Sequence, residues 1–237
     1  MTSVLVDERI SDACERALLV RGFYPIRLPR HPHLPDAICS HPDSLIFYHG
    51  GELFVPAEYC DVAPYVFTDI RERHPDIKIH FTSDELGKKY PNDCNMNAIC
   101  IKDKLFANPA SLSESISDYA KKNGIELVGT KQGYPACSTL HFGNSVICAD
   151  RGLERSFSAN GIEVALIENG GIALPPYEYG FIGGATGVFG NKVYFLGDYK
   201  SHPSAEIIEN ALLSEGYTPI SLSDEPLFDL GGLIFLE

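Results

Sequence analysis

The sequence predicts an α/β fold of five repeated modules, with helices outside and short strands around a central axis. The first observation is a repeated joint in which a helix ends at a Gly and a short strand follows, over residues 22–26, 124–128, 161–165 and 216–220. Gly takes the left-handed conformation that other residues resist, so each copy marks a helix C-terminus. Residues 75–79 form a degenerate fifth copy.

The second observation is a series of loop segments, each of which follows one of these joints. The segments contain, in order, Cys39, Cys94, Cys137, Gly183 and Gly231, at steps of 55, 43, 46 and 48 residues. This spacing is typical of one supersecondary unit per repeat and implies a closed or stacked array with a shared axis. Each module is predicted to run helix, strand, loop, strand, turn, strand.

The elements are predicted in chain order. Apolar periodicity and capping residues predict helices over 11–21, 62–73, 111–122 and 151–160, and a further helix that opens at Ser204. Ser111 and Glu114 form a capping-box pattern. Gly143-Asn144 and Gly190-Asn191 lie between alternating apolar residues, which predicts two tight hairpins. Further second strands are predicted over 45–48 and 98–101.

Composition favours a single domain over residues 1–237, because no Pro-rich, Gly-rich or Ser-rich linker divides the repeat. The net charge of −13 argues against nucleic acid or an anionic membrane as a partner and is compatible with a cationic ligand. No apolar stretch approaches the length of a membrane span, and no signal peptide is evident. The protein is therefore expected in the cytoplasm, and seven Cys without disulfide-scaffold spacing indicate reduced thiols. The oligomeric state stays open.

His41 and Asp43 form the first candidate site, at the head of a predicted strand over residues 41–47. Residues two apart on a strand face the same side, so one could bind a cation while the other moves protons. The alternative is that Pro42 starts the strand and His41 only satisfies a loop. A second Ser-His-Pro, at residues 201–203, leads into a helix, and its His202 is assigned a capping role.

Cys137 occupies the equivalent position two repeats later, and equivalent strand ends in a ring converge on its axis. Cys137 and His41 are therefore expected to meet, and a protonated His would lower the thiol pKa and create a nucleophile. The alternative is that Cys137 is a small buried apolar residue. Four other Cys are predicted to lie in helix or strand interiors as core: Cys14, Cys60, Cys100 and Cys148.

Two cofactor hypotheses are weaker. A zinc site would need Cys39, His41, Cys94 and Cys137, but none of these has the close spacing of known zinc sites. Residues 183–187 resemble a phosphate-binding loop, but they are followed by a hairpin and lack the Gly-Lys-Ser/Thr pattern. They indicate a close approach of backbones at the axis. We predict no metal and no cofactor.

Taken together, the repeat and these motifs resemble the pentein family, the fold of guanidino-group-modifying enzymes. Residues 41–47 resemble the family's His-x-Asp segment, and Cys137-Ser138-Thr139 lies 96 residues later, an interval similar to that of the family's nucleophile. Asp229-Leu230-Gly231-Gly232 is the counterpart of an acidic residue beside a Gly pair. The resemblance implies attack by Cys137 on an amidino carbon, proton transfer by His41, and binding of a guanidinium by Asp43 and Asp229.

The chain departs from the family at one substrate-binding position. A further carboxylate is expected near residues 181–184, where none occurs, and Glu178 or Asp36 is a potential substitute. The order of modules is also rotated relative to familiar members. We therefore predict a hydrolase or amidinotransferase acting on a small cationic guanidino or amidine compound. The alternatives are a non-catalytic pentein that binds a small cation or a protein partner, and a purely structural repeat protein.

Overall fold

A computed structural model describes residues 1–237 and contains seven α-helices and seventeen β-strands. The helices are α1 (Asp12–Val20), α2 (Pro42–Leu45), α3 (Ala57–Val62), α4 (Pro64–Arg73), α5 (Glu114–Lys122), α6 (Arg151–Ala159) and α7 (Ala205–Ser214). The strands are β1 (Ser3–Asp7), β2 (Tyr24–Leu28), β3 (Phe47–His49), β4 (Glu52–Pro56), β5 (Lys78–Thr82), β6 (Ile99–Ile101), β7 (Lys104–Ala107), β8 (Glu126–Gly129), β9 (Thr139–Phe142), β10 (Ser145–Cys148), β11 (Glu163–Leu166), β12 (Ile172–Ala173), β13 (Thr186–Phe189), β14 (Lys192–Phe195), β15 (Thr218–Ser221), β16 (Leu227–Phe228) and β17 (Ile234–Leu236). None of the helices is both long and apolar enough to cross a bilayer.

Five three-stranded sheets share one topology. Their strand orders are β17-β1-β2, β3-β4-β5, β6-β7-β8, β9-β10-β11 and β13-β14-β15. In each sheet the middle strand pairs antiparallel with the first strand and parallel with the third. A parallel pair needs a crossover connection, and at least one helix supplies it in every sheet. The first sheet takes β17 from the C-terminal end of the chain, and β12 and β16 form a separate two-stranded sheet.

The apolar interior consists mainly of five clusters, each of which joins two of these sheets. Successive residues of a strand point to opposite faces, so two adjacent residues of each middle strand enter two different clusters. The clusters thereby link the sheets in chain order and connect the last sheet back to the first. The adjacent pairs are Val4 and Leu5, Leu53 and Phe54, Leu105 and Phe106, Val146 and Ile147, and Val193 and Tyr194.

The predicted helix-to-strand joints are present at all four Gly positions. Gly22, Gly124, Gly161 and Gly216 have φ values of +86°, +69°, +71° and +78° and are followed by β2, β8, β11 and β15. The two predicted hairpins are also present, because residues 143–144 join β9 to β10 and residues 190–191 join β13 to β14. The sequence pattern thus located these four joints and two turns correctly at the level of single residues.

Two local predictions were wrong, and the bounds of a third were right to within two residues. His41 and Asp43 do not lie on a strand, because residues Pro42–Leu45 form the short helix α2 and β3 begins only at Phe47. Proline at the first helical position has a φ suited to a helical turn, which explains the difference. The predicted helix over 62–73 corresponds to α4, which begins two residues later, and the separate helix α3 precedes it. Helix α5 begins at Glu114, and Ser111 donates to the Asn108 carbonyl instead of capping it.

Candidate active site

Three loops bring a thiol, an imidazole and a carboxylate together. His41 stands at the N-terminus of α2, Cys137 lies in the turn before β9, and Asp229 follows β16. A ring nitrogen of His41, the Sγ atom of Cys137 and a carboxylate oxygen of Asp229 lie within 4.8 Å of one another. All three residues are buried. The structure therefore places together Cys137 and His41, which are 96 residues apart in the chain, as the module equivalence predicts.

Asp229 is the carboxylate in direct contact with the thiol. The Sγ atom of Cys137 lies 3.5 Å from Oδ2 and 3.7 Å from Oδ1 of Asp229. The same carboxylate accepts backbone hydrogen bonds from Phe181, at 2.8 Å, and from Gly231, at 3.1 Å. These two bonds hold the carboxylate against the thiol side of the site.

His41 is a buried histidine whose two ring nitrogens have no hydrogen-bond partner. Its Nδ1 atom lies 3.8 Å from Asp229 Oδ1 and 4.0 Å from Asp43 Oδ1, and its Nε2 atom lies 3.9 Å from Asp7 Oδ2. Burial, with the charge of Arg9 as a further cause, lowers the pKa of His41 to about 3. The ring is therefore neutral near pH 7 and has a lone pair free to accept a proton.

Two carboxylates with raised pKa values share this space: Asp229 is fully buried, and the Asp43 side chain is 11% exposed. Burial, together with the nearby charge of Asp43, raises the pKa of Asp229 from its usual 3.8 to about 7. Burial likewise raises the pKa of Asp43 to about 6, and its Oδ2 atom is buried without a hydrogen-bond partner. Both groups thus titrate close to neutral pH in the unliganded site.

The thiol of Cys137 is protonated in the unliganded site. Burial raises its pKa well above the usual value, and the charges of Asp229 and Asp43 raise it further. This differs from the expectation that a protonated His41 would lower the thiol pKa, because His41 is neutral and its neighbours are acids. The one cation beside His41, Arg9, is paired with Asp7, so a positive charge next to the thiol must come from a bound molecule.

Asp7 and Arg9 complete the site and were not predicted. Asp7 is the last residue of β1, and its carboxylate binds the Arg9 guanidinium at 2.5 Å and 2.8 Å. The pair stands beside His41. Because the Asp7 carboxylate is already paired with Arg9, it does not compete with Asp43 and Asp229 for a cationic ligand. The signal in the sequence is the apolar run 4–6 directly before Asp7, but the repeat pattern began each module at its helix and passed over it.

Asn97 positions the two halves of the site. Its Oδ1 atom accepts from the backbone amides of Ala136, at 2.9 Å, and Cys137, at 3.4 Å, while its Nδ2 atom donates to the Asp43 carbonyl at 3.2 Å. One buried amide therefore ties the Cys137 turn to the α2 turn. Asn97 lies in the repeated loop segment that contains Cys94, which is the signal that could have found it.

The Gly residues beside the site allow its backbones and side chains to approach closely. A Cβ atom on Gly184 would lie 1.9 Å from Asp229 Oδ1, and one on Gly183 would lie 2.2 Å from the Ala136 carbonyl oxygen. Gly231 has a φ of +69°, and a Cβ atom there would lie 2.4 Å from His41 Cβ. The interpretation of residues 183–187 as a close backbone approach is thus consistent with these contacts.

Gly231→Ala should displace His41 and destabilise the protein more than a matched control. The control is Gly22→Ala, because Gly22 has a similar φ of +86° but open space around the added Cβ atom. Both variants incur backbone strain of about 1–3 kcal/mol, and Gly231→Ala should lose about 1–3 kcal/mol more from the clash. Urea unfolding of both variants measures the difference. Equal losses of unfolding free energy in the two variants would contradict the prediction, because they would show that His41 moves away from the added Cβ atom without destabilising the protein.

A pocket of about 380 Å³ opens onto His41 and Cys137. Glu178, one of the two suggested substitute carboxylates, lines this pocket. Asp36 does not, because its side chain is 90% exposed and binds Arg30 at 2.6 Å on the surface. Asp43 lines a second, smaller pocket of about 170 Å³ together with Gly183 and Gly231. The remaining lining residues of the larger pocket are Ile38, Ser44, Tyr134, Leu174, Tyr177, Tyr179 and Phe181.

The other residues considered for the zinc hypothesis have separate partners. The thiol of Cys39 donates to the Asp36 carbonyl at 3.3 Å, and that of Cys94 donates to the Pro91 carbonyl at 3.2 Å.

His202, which was predicted to have a capping role, accepts from the Ser204 amide at 3.0 Å, directly before α7.

Three solved structures similar to this chain have the pentein fold. DDAH from Pseudomonas aeruginosa, a Cys-to-Ser mutant complexed with citrulline, has 10% identity and a TM-score of 0.57, with 94% of this chain and 92% of that chain covered. An amidinotransferase from Microseira wollei, in the saxitoxin biosynthetic pathway, has 10% identity and a TM-score of 0.58, with 94% and 77% covered. The agmatine deiminase of C. jejuni has 8% identity and a TM-score of 0.54, with 93% and 87% covered.

Sequence comparison leads to a family without an assigned activity. No curated protein matches the sequence. Residues 5–234 match the model described as "Family of unknown function (DUF6873)". This match spans nearly the whole chain and includes every residue of the site described above. The protein is therefore a member of the DUF6873 family and has the pentein fold.

Proposed function

We propose that this protein is a guanidino- or amidine-modifying enzyme, a hydrolase or amidinotransferase, in which Cys137 is the nucleophile and His41 transfers protons. The observation that carries the proposal is the contact of the Cys137 thiol with Asp229, with His41 adjacent to both. The similar pentein structures include enzymes named for guanidino chemistry, which supports the same reaction class.

The electrostatics of the site support a cationic ligand. Asp229 is buried and Asp43 is largely buried beside a neutral thiol and a neutral imidazole, and a carboxylate charge in such a place is costly without a cationic partner. A planar cation with several N–H donors would satisfy both carboxylates, including the unpartnered Oδ2 atom of Asp43. Its charge would also lower the pKa values of Asp43, Asp229 and the Cys137 thiol. Ligand binding thus prepares the nucleophile.

The proposed reaction uses His41 twice. The Cys137 thiol transfers its proton to His41, and the thiolate forms a bond to the central carbon of the guanidinium. The C–N bond to the leaving amine then breaks, and this amine takes the proton from His41. In the hydrolase, neutral His41 next removes a proton from water, and the water oxygen attacks the thiouronium carbon. The C–S bond then breaks, His41 returns its proton to the departing thiolate, and the protonated urea product loses a proton to solvent. An amidinotransferase would use an amine in place of water.

We propose further that the chain is one domain in which the five sheets are the blades of a propeller around a shared axis. The support is the cyclic linkage of the sheets by five apolar clusters, together with the site residues that come from loops of different modules. We place the protein in the cytoplasm because all seven cysteines are free thiols, which fits a reducing compartment.

Selective labelling of Cys137 tests the proposed function. Chloroacetamidine should modify Cys137 faster than the other six thiols, because its cation lowers the thiol pKa on binding and the thiolate then displaces chloride. The neutral isostere chloroacetamide is the matched control and should show no preference for Cys137. Peptide mass spectrometry after brief exposure gives the rate at each cysteine. Equal rates at all seven cysteines with chloroacetamidine would contradict the enzyme proposal.

A non-catalytic binding protein is the second candidate function. The specific observation in its favour is the strongly raised pKa of the Cys137 thiol, which is only 5% exposed. Such a protein would bind guanidinium compounds between the same two carboxylates without forming a covalent adduct. Tight binding by calorimetry combined with no labelling of Cys137 by chloroacetamidine would identify this function.

A further inference from the structure

We propose that the substrate is a guanidino compound that carries no carboxylate, with an apolar chain that ends in an amine or another cationic or neutral group. The inference rests on the proposed function, because it assumes that a guanidinium group binds beside Cys137. It concerns the remainder of the molecule, which must occupy the pocket of about 380 Å³ that leads from Cys137 to solvent.

Aromatic side chains dominate the wall of this pocket. Tyr134, Tyr177, Tyr179 and Phe181 line it beside Cys137, and Tyr177 is 53% exposed. Aromatic faces attract cations and pack against alkyl chains, whereas a carboxylate gains nothing from them and loses its hydration. The wall therefore favours an alkyl chain with a positive or neutral end.

The only acidic or basic lining residues are His41, at the bottom of the pocket, and Glu178. Neither Lys nor Arg lines the pocket, so a ligand carboxylate would find no cationic partner within it and would be repelled by Glu178. The neighbouring pocket shares Tyr179 and Phe181 and contains Arg151, but Asp150 and Glu168 also line it. An amine placed near Glu178 would form an ion pair close to the surface.

Binding to the Cys137→Ser variant measures this selectivity without turnover. The probes are agmatine, butylguanidine and arginine, which share the guanidino end and differ at the other end by an amine, no charge, or an amine plus a carboxylate. Attraction of an amine and repulsion of a carboxylate near an exposed Glu each change affinity by about two- to fivefold. Agmatine should therefore bind about two- to fivefold more tightly than butylguanidine, which lacks the amine, and about two- to fivefold more tightly than arginine, which adds the carboxylate. Calorimetry at constant ionic strength gives all three affinities.

Two variants assign the effect to Glu178. Glu178→Gln should weaken agmatine about two- to fivefold and leave butylguanidine unchanged. Glu178→Lys should reduce or reverse the preference for agmatine over arginine, again with butylguanidine unchanged. A loss of butylguanidine binding in either variant would indicate a general disturbance of the pocket and would overturn the role of Glu178.

The outcomes separate the two proposals. Arginine binding as tightly as agmatine, or more tightly, would overturn the substrate inference while leaving the guanidino function intact. Failure of all three probes to bind would overturn the proposed function and the substrate inference together. Binding of butylguanidine, together with tighter binding of agmatine than of arginine, is the result that supports both.

Discussion

Replacing His41 by alanine should slow turnover of a guanidino substrate by about 10²- to 10⁴-fold while cation binding persists. The reason is that His41 is neutral and has no hydrogen-bond partner at either ring nitrogen, so it is free to take the thiol proton and return it to the leaving amine. The carboxylates of Asp43 and Asp229 remain to bind the cation. Steady-state rates measure the first effect, and calorimetry measures the second.

His33→Ala is the matched control for this prediction, because the His33 side chain is 63% exposed and its only close acidic neighbour is Glu58. It should leave both turnover and binding unchanged. A His41→Ala protein that turns over its substrate at the original rate would remove His41 from the mechanism. If His41→Ala instead fails to fold, far-ultraviolet circular dichroism will reveal it, and His41→Gln then replaces it in the same assay.

As the pH increases, the affinity for a guanidinium probe should rise by at least about tenfold per pH unit up to about pH 6. It should level off above about pH 7. Binding requires ionised carboxylates, and the pKa values of Asp43 and Asp229 in the unliganded site are about 6 and about 7. The pKa of His41, at about 3, lies below this range and does not contribute. Calorimetry of Cys137→Ser with butylguanidine from pH 5 to pH 8 tests the prediction.

The same titrations affect the free energy of unfolding with a defined sign. When the pKa of a carboxylate is higher in the folded protein than in the unfolded chain, the group contributes stability that is complete at pH values below its pKa in the unfolded chain. This contribution is lost as the pH rises through its pKa in the folded protein. For Asp229 the loss between about pH 4 and pH 7 amounts to about 4 kcal/mol. His41 acts oppositely, since its lowered pKa removes stability as the pH falls from about 6.5 to about 3.

Asp229→Asn isolates the carboxylate contribution. Urea unfolding at pH 5 and pH 8 should show a smaller pH-dependent difference in this variant than in the unmodified protein. Asp36→Asn is the control, because the Asp36 side chain is 90% exposed and does not line the pocket, and it should leave the difference unchanged. An affinity for butylguanidine that is constant from pH 5 to pH 8 would contradict the role of these carboxylates in cation binding.

The sequence predicted the joints of the fold because each depends on a backbone conformation that only a few residues adopt. A positive φ after a helix selects Gly, as at Gly22 and Gly216, and the same restriction marks the turns at Gly143 and Gly190. The α2 turn was missed because four residues are too few to show helical periodicity, and Pro42 is compatible with either a strand or a helix start.

The site was predicted only in part, because equivalence between modules identifies positions and not their environments. It placed Cys137 next to His41, but it could not predict that burial keeps the imidazole neutral and the thiol protonated. Asn97 acts through backbone groups of two other modules, and those contacts depend on tertiary packing. The aromatic wall was missed because Tyr134 and Tyr177 come from separate loops without a shared motif.

The pairing of β1 with β17 has a consequence for how the protein is made. Strand β1 leaves the ribosome early, yet its antiparallel partner is the last strand of the chain, with Ser3 opposite Leu236 and Leu5 opposite Ile234. While the other four sheets assemble from contiguous segments, one edge of β1 stays unpaired, and an exposed apolar edge invites association with other chains. Nascent chains that stop before β17 should therefore depend on chaperones, and aggregation during synthesis should end when this strand is released.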